Sequence, residues 1–591
     1  MKKFMFLLLL SLAGMSASAQ YGHRTYYIDS LTNEWFNDGL ITDQFLAGGL
    51  PVYVACGKAK SIVAGATERS RFMRARFSGT TQQNRLYYIF KNGAELPSRL
   101  NSICESGNSF VMSGSANSSN ASTPGGGDIM VMKTSASGIP SSLWKVDLNN
   151  GFDEALCTRR SKYKASNYFT CGYSSTPNVS SAFLMKHNST MSTISWVRKF
   201  NIPCGSLTVG NAEATSVIDD GTTGSVVVIG NIKTNVVPVN CQSAFIAKFN
   251  AGGVLQWFRT IGAANTTAVS LQSIRETDVN GEYVITGSVG LSGSGDRVLL
   301  MRVNTNGAVS VIVFARGLLS AGPSPNFPVS AQNGYDVVTR KDSNVVEYYV
   351  AGSTGYTFGQ TDGMLLKTNG AGIPLALRLY MGNGSEALYA IDQTNQYGTP
   401  GDGIAAFGRY DRTFASGIAP ANRSWLAKSY FNLVTGCNEI PDNPTSVTLN
   451  ISFTTFTPSF TTTFTKDSLQ WQYGNALSNV VCWATSVAGG SNLRRGAEEN
   501  AGVSSDDLSV SVYPNPVAGN SLQLHLVSTM EDLVTVRIID AMGRLMDEHS
   551  LLVQEGDNEA GIDITEMRSG VCIVQVITST GKSKNIRVVK Q

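Results

Sequence analysis

The chain has 591 residues, too many for one ordinary domain, and its 46 Lys and Arg against 43 Asp and Glu leave a formal charge of only +3. No basic run interleaved with aromatics occurs, so the composition excludes a nucleic-acid footprint and selects no polyanion as partner.

The first element is a leader. Residues 1–19 join a positive start, an apolar run from Phe4 to Leu12 and a small-x-small stop at Ala17, Ser18 and Ala19, the pattern of a secretory signal peptide cut before Gln20. The apolar run is shorter than the ~20 residues that cross a bilayer. No later stretch is long and apolar enough, so no transmembrane segment is expected and the mature protein belongs outside the cytoplasm.

From residue 20 to 430 the chain repeats itself. A short β-branched or aromatic run closed by glycine recurs with its glycine at Gly65, Gly114, Gly172, Gly230, Gly287, Gly352 and Gly408. Each is followed, after a variable loop, by an apolar run ending in Arg76, Lys133, Lys186, Lys248, Arg302, Lys367 or Lys428. In 213–261 the unit reads whole: strand a EATSVIDD, a turn DDGTTG, strand b SVVVIG, a loop, strand c AFIAKF, a turn NAGG, and strand d LQWFRTI. A period in the fifties with four short strands per unit predicts an all-β fold, a β-propeller of seven blades with eight as the alternative. The stretch 25–36 reads as an additional c and d pair able to close the ring, and 431–485, where apolar residues alternate with Thr or Ser, as last outer strands or a small cap.

Residues 486–506 are polar and small and read as a linker. Residues 507–591 alternate like a β-sandwich of about seven short strands. VYPNP at 512–516 with Tyr513, Pro514, Asn515 and Pro516, then VRIIDAMGRLM with Asp540 and Gly543, then a closing segment from Gly570 to Lys590, resemble the C-terminal sorting domain, type A, of type IX secretion substrates. The resemblance implies an Ig-like sandwich, export through the type IX machinery, removal of the module by a sortase-like peptidase, and attachment to surface lipopolysaccharide. One position departs: Cys572 stands after Gly570 and Val571, where the family usually has an aromatic residue.

Chemistry is sparse. The four histidines are His23, His187, His525 and His549, and His187 reads as a hairpin residue rather than a general base. Asp128, Asp296 and Asp362 recur at the start of strand c and read as structural rather than as a catalytic acid pair. The turns at 219–224 and 278–282 lack calcium-loop spacing. Trp144, Trp196 and Trp257 on strand d, with Trp425 on strand c, read as core. No enzyme, metal or cofactor is therefore expected.

Recognition is assigned to the face carrying the long b–c and d–a connections, at 115–127, 201–212, 231–242, 315–334 and 409–423. The last of these offers Arg409, Tyr410, Arg412, Asn422 and Arg423 as candidate contacts to a protein or glycan. The alternatives are a carboxylate-dependent polysaccharide hydrolase or lyase using acids such as Asp411 or Glu386, and a structural component of the cell surface or motility apparatus.

In an oxidising compartment the nine cysteines default to bridges. Pairing strands a and b about a turn near Lys164 sets Cys157 opposite Cys171, and Cys204 and Cys241 share the long-loop face. Cys437 with Cys482, and Cys56 with Cys104 on strand a of neighbouring blades, follow by elimination.

Overall fold

Every repeat folds as a meander of four antiparallel strands, a to d, in chain order. The structure, a computed structural model, describes the strands and tight turns between residues 21 and 590. Residues 1–20 and 485–507, the connections 43–51, 118–126, 234–242, 316–331, 395–402 and 413–420, and shorter stretches elsewhere lie outside the described residues. The expected leader and linker fall there. Among the described residues all regular elements are strands, and no helix is long and apolar enough to cross a membrane. The chain forms two compact units, residues 1–478 with 483–491, and residues 492–591 with 479–482.

Seven meanders are present in the first unit among the described residues. Meander 1 is Thr32–Thr42, Val52–Ser61, Arg69–Ala75 and Thr81–Lys91; meander 2 is Ser98–Glu105, Ser109–Asn117, Gly127–Ser135 and Pro140–Asp147. Meander 3 is Phe152–Arg160, Asn167–Thr176, Val179–Asn188 and Ile194–Cys204; meander 4 is Leu207–Asp219, Val226–Lys233, Ala244–Phe249 and Leu255–Ala263. Meander 5 is Thr266–Glu276, Tyr283–Leu291, Gly295–Val303 and Val309–Ala315; meander 6 is Gln332–Asp342, Val345–Gly355, Thr361–Asn369 and Pro374–Tyr380. Meander 7 takes three strands from Ala387–Gln393, Ile404–Arg412 and Ala421–Ser429, and its fourth from the far end of the chain, Tyr21–Tyr27. So 25–36 is not one extra pair: its start ends meander 7 and its remainder opens meander 1.

Strand b is apolar on both faces because both are covered. Val226, Val227, Val228 and Ile229 are all fully buried, as a strand sandwiched between neighbours requires. A buried cluster fills the seam between each meander and the next, and a further one, built from Phe36, Tyr53, Met73, Phe407 and Leu426, fills the seam between meanders 7 and 1. The recurring basic residue of strand c reaches across such seams. Lys186 Nζ donates to the Ala251 carbonyl at 3.0 Å and an Arg302 guanidinium N–H to that of Gly370 at 3.1 Å, each on the next meander's c–d turn. These turns are fixed by asparagine: the Asn369 Oδ1 accepts from Ala371 and Ile373 N–H while Gly372 sits at φ 80°.

One element of the repeat is set differently from the expectation. In meander 1 the glycine in phase with the other six is Gly57, not Gly65, and the basic position is Arg74, not Arg76. Gly57 faces Phe36 as Gly114 faces Leu100 and Gly172 faces Ala155. The row needs glycine for a close approach: a Cβ on Gly57 would meet the Trp35 carbonyl oxygen at 2.0 Å, and one on Gly172 that of Glu154 at 1.9 Å. Gly65 is a turn residue at φ 81°.

Residues 439–484 supply fifth strands to the outer edges, visiting the meanders in reverse. Glu439–Asp442 pairs with strand d of meander 6, Thr445–Val447 with 5, Ile451–Thr455 with 4, Ser459–Thr461 with 3, Thr465–Ser468 with 2 and Gln470–Asn475 with 1. Leu477–Ala484 follows Tyr21–Tyr27 in the sheet of meander 7. Strand d would otherwise leave a row of unpaired backbone groups, and this segment covers it.

The second unit has two antiparallel sheets. One is ordered Leu508–Tyr513, Ser521–Ser528, Gly556–Asp563; the other Leu545–Val553, Asp532–Asp540, Gly570–Ile577, Ser583–Lys590. Leu524, Val536, Ile562, Val574 and Cys572 lie in one buried cluster. Cys572 thus takes a core position, fully buried.

Candidate ligand-binding site

The seven meanders share a defect that the sequence did not announce. In each, the a–b register slips by one residue directly after the strand-a partner of the row glycine, leaving a bulge. The bulged residues are Asn37, Asn101, Leu156, Thr215, Gln272, Tyr335 and Tyr389, all half-buried. A bulge re-aims one side chain out of the pleat, and these seven all line one cavity of about 440 Å³. Along each strand a they precede the residues that line a second cavity nearer the a–b turn, so this cavity belongs to the side toward the b–c and d–a connections.

Just below, the wall is tied from sheet to sheet. Asp38 accepts from Ser102 Oγ at 2.9 Å and Ile103 N–H at 3.0 Å on meander 2, and pairs with Arg159 of meander 3 at 3.2 Å. Ser102 Oγ accepts from Thr158 N–H at 3.0 Å. Ser216 Oγ lies 3.7 Å from Cys157 Sγ and accepts from Ile274 N–H at 3.4 Å. Asp336 accepts from Ser273 Oγ, from Ile391 N–H at 3.1 Å and from the Arg275 guanidinium at 3.0 Å. Asp392 of meander 7 accepts from Ile41 N–H of meander 1 at 2.7 Å. Burial works against the Arg159 cation, yet the Cys157, Asp38 and Asp336 charges hold its pKa above the ordinary value.

At the rim, Glu154 is held by Arg99 Nε at 2.7 Å, Asn101 Nδ2 at 2.6 Å and Tyr173 Oη at 2.8 Å. Burial, with the Glu154 charge beside it, pushes the Tyr173 phenol up, so this hydroxyl is a donor and not a nucleophile. The rings of Tyr335 and Tyr389 stand 5.0 Å apart, inclined at 60°. A second cavity of about 370 Å³, lined by Arg160, Asp219, Glu276 and Asp392, shares Asp38 and Arg159 with the first and lies toward the tight-turn end.

The residues singled out by sequence fall elsewhere. Arg409, Tyr410 and Arg412 are on strand b of meander 7, and Asn422 and Arg423 on its strand c, paired as Tyr410 with Arg423 and Arg412 with Ala421. They are ladder residues, not a loop: the polar sequence continues the strands. Arg423 is buried, Tyr410 packs edge-on to Trp425, Asn422 N–H donates to Asn33, and the Arg412 side chain lies outside the described residues. Likewise 201–204 and 207–212 are strand, while 118–126, 234–242 and 316–331 lie outside the described residues. Glu386 is fully buried, and Asp411 pairs with Asn422 in the ladder.

His187 is fully buried, its ring nitrogens 2.7 Å from Thr170 Oγ1 and 2.8 Å from the Asn188 carbonyl. Burial lowers its pKa to about 4. Asp128 opens strand c and binds Lys145 Nζ at 2.5 Å. Asp362 holds the equivalent place, two residues before the partner of the row glycine, whereas Asp296 stands one residue earlier and Arg297 takes that place. The Asp220 carboxylate caps its own turn through Thr222 and Thr223 N–H. Trp144, Trp196 and Trp257 pack on seam clusters and Trp425 is within one.

Cys157 and Cys171 are register partners as expected, but no bridge joins them. A hydrogen bond from Cys171 holds the Cys157 thiol below its usual range, and burial raises Cys171. Cys56 and Cys104 are also free thiols; Cys56 is on strand b rather than strand a. The side chains of Cys204, Cys241, Cys437 and Cys482 lie outside the described residues.

In the second unit Tyr513 ends its strand, Asp540 faces Cys572, and Lys590 Nζ donates to the Ile564 carbonyl at 2.6 Å. Gly570 has φ 144°, a conformation side chains rarely adopt. Pro514, Asn515, Pro516 and Gly543 lie outside the described residues.

Residues 511–591 match the family described as the secretion system C-terminal sorting domain. Such a tail marks a type IX secretion substrate and directs export across the outer membrane, to the cell surface or the extracellular space. No curated protein sequence matches the chain. Among solved structures it is similar to Sqt1 from Chaetomium thermophilum in two crystal structures. The first has 9% identity, TM-score 0.35, and covers 70% of this chain and 91% of that one. The second has 7% identity, TM-score 0.36, and covers 69% and 98%. It is also similar to a subtype N11 neuraminidase-like protein of A/flat-faced bat/Peru/033/2010 (H18N11), at 10% identity and TM-score 0.28 over 70% and 96%.

Proposed function

We propose that this type IX substrate is a seven-bladed β-propeller that binds an extracellular protein or glycan at the long-connection end of its axis. The leader is removed on export, and the C-terminal Ig-like module is cut off at the surface, leaving the propeller attached there or released. The observation that carries the binding role is the sevenfold bulge, which turns one side chain from every meander into a single cavity. Support for a closed ring comes from the buried cluster between meanders 7 and 1 and from the Asp392 to Ile41 hydrogen bond across that seam. A binding role is favoured over catalysis because the cavity carboxylates are engaged by arginines and neighbouring donors, and His187 is walled off.

The test is a screen of the full chain against extracellular proteins and glycans, with hits re-measured in variants of the two ends. A ligand lost on changing bulge residues and kept on changing tight-turn residues supports the reading. A ligand with the opposite pattern, or turnover of a polysaccharide abolished by Glu154→Gln, overturns it. Intact mass of the secreted protein tests the processing: a chain ending between about 486 and 510 is expected, and retention of Gln591 on extracellular protein refutes cleavage.

A further inference from the structure

We infer that the bulge-lined cavity takes the end of a neutral carbohydrate chain; this rests on the long-connection end being the recognition face and names the ligand class. Three of the four carboxylates of the wall, and both of its arginines, are paired within the protein. Asp38 is paired with Arg159, Asp336 with Arg275, and Glu154 with Arg99, while Glu213 receives the Asn231 amide at 3.4 Å. An anionic ligand would have to break one of these partly buried pairs to reach an arginine and leave its carboxylate unmatched, an expensive exchange.

What the bulges add is uncharged. Asn37 Nδ2 donates to the Leu100 carbonyl and Asn101 Oδ1, Asn101 Nδ2 to Glu154 and the Ala155 carbonyl, Thr215 Oγ1 to the Leu271 carbonyl and Gln272 Nε2 to Ser270 Oγ. What they turn to a ligand is uncharged acceptor oxygen on Asn37, Thr215 and Gln272, the capacity that donating sugar hydroxyls need. Between Gln272 of meander 5 and Asn37 of meander 1, the half-buried Tyr335 and Tyr389 rings, 5.0 Å apart, offer an apolar wall ending in hydroxyls. A sugar ring has the same two-sided character, C–H faces and a hydroxyl edge. At about 440 Å³ the cavity lies within the roughly 300–1,000 Å³ of small-ligand sites, enough for one or two sugar units and not for a folded partner.

The experiment presents the full chain to an array of neutral and acidic oligosaccharides, and titrates the best ligand against wild type and the variants Tyr389→Ala, Gln272→Ala and, at the tight-turn end, Tyr163→Ala. Expected is binding of neutral saccharides, weakened at least tenfold by Tyr389→Ala and by Gln272→Ala and unchanged by Tyr163→Ala, with each variant's melting temperature near wild type. Should Tyr389→Ala fail to fold, Tyr389→Phe and Gln272→Asn report on the same wall. Binding of only acidic glycans or of a protein, still lost in the bulge variants, overturns the neutral-sugar inference and leaves the recognition face standing. Neutral-sugar binding lost only in Tyr163→Ala overturns both. A folded wild type that binds no saccharide overturns the inference.

Discussion

Meander 1 and the other six fill the same place in opposite ways. The strand-c residue facing the row glycine packs onto the preceding meander, and in meanders 2 to 7 it is Met130, Phe183, Phe245, Leu299, Met364 or Trp425. In meander 1 it is Arg71, fully buried, paired with the equally buried Glu34 and bonded to Asn84 at 3.0 Å and, on meander 7, to Ser424 Oγ at 2.6 Å. The seam it faces is also the one whose two sides come from opposite ends of the chain. Six seams join meanders that follow each other in sequence, so apolar fit suffices. The seventh must find a partner over 300 residues away, and the directional hydrogen bond from Arg71, held by Glu34 of its own meander, to Ser424 discriminates where alanine-rich contact among Ala55, Ala75, Ala390 and Ala405 does not.

Removing one member of that pair tests the contrast most severely. Glu34→Ala leaves the guanidinium buried without its carboxylate and is expected to lower stability by about 3–5 kcal/mol, read from urea midpoints. A loss under about 1 kcal/mol would mean that the seam does not depend on it.

His187 sharpens the comparison, because meander 3 buries a titratable ring by keeping it neutral instead of pairing it. Its folded pKa of about 4 lies below the ordinary 6.5. Its contribution is therefore complete above pH 6.5 and is lost as pH falls toward 4. Against His187→Gln, the wild type should lose about 3 kcal/mol over that window. Parallel stability curves for the two proteins would contradict this.

The glycine row gives the next effect. Gly57→Ala drives a methyl into the Trp35 carbonyl and should destabilise by about 1–3 kcal/mol, whereas Gly65→Ala meets open space and strains only φ, about 1 kcal/mol. The reverse order would restore Gly65 to the row and undo the equivalence of Arg71 with Met130. The smallest effect is expected from Arg71→Met combined with Glu34→Leu, which makes meander 1 like the rest. Stability should stay within about 1 kcal/mol or rise, while refolding yields more misassembled species by size-exclusion chromatography. Clean refolding of that double variant would show that apolar fit alone specifies the seam.

Much of the scaffold was legible because it is written in side chains that repeat: the strand-b runs, the turn asparagines, the basic residue of strand c. The slip in meander 1 arose because VYVACG and SIVAG both satisfy the phrase within eight residues, and only the pairing of Phe36 with Gly57 separates them. The candidate site was not legible for a different reason. A bulge is a feature of backbone register, and the residues it presents share no type: Asn, Leu, Thr, Gln and Tyr all occupy it. Arg409 and Tyr410 drew attention through polarity, but strand b continues through them. The glycine row was the available signal, since the bulge lies opposite it in every meander.

The outer strands of residues 439–475 impose an order in time. The chain travels round the meanders once to build them and then retraces them backward, so the rim of meander 6 is sealed before that of meander 1. A nascent or translocating chain that has delivered all four-stranded sheets still shows protease-accessible and self-complementary edges until this return journey is made. Any force or enzyme that frees the segment at one point unlaces the neighbouring rims in turn. Protection of the meander rims from proteases outside the cell thus depends on some forty residues, of which Leu469 and Trp471 also pack on the seam between meanders 1 and 2.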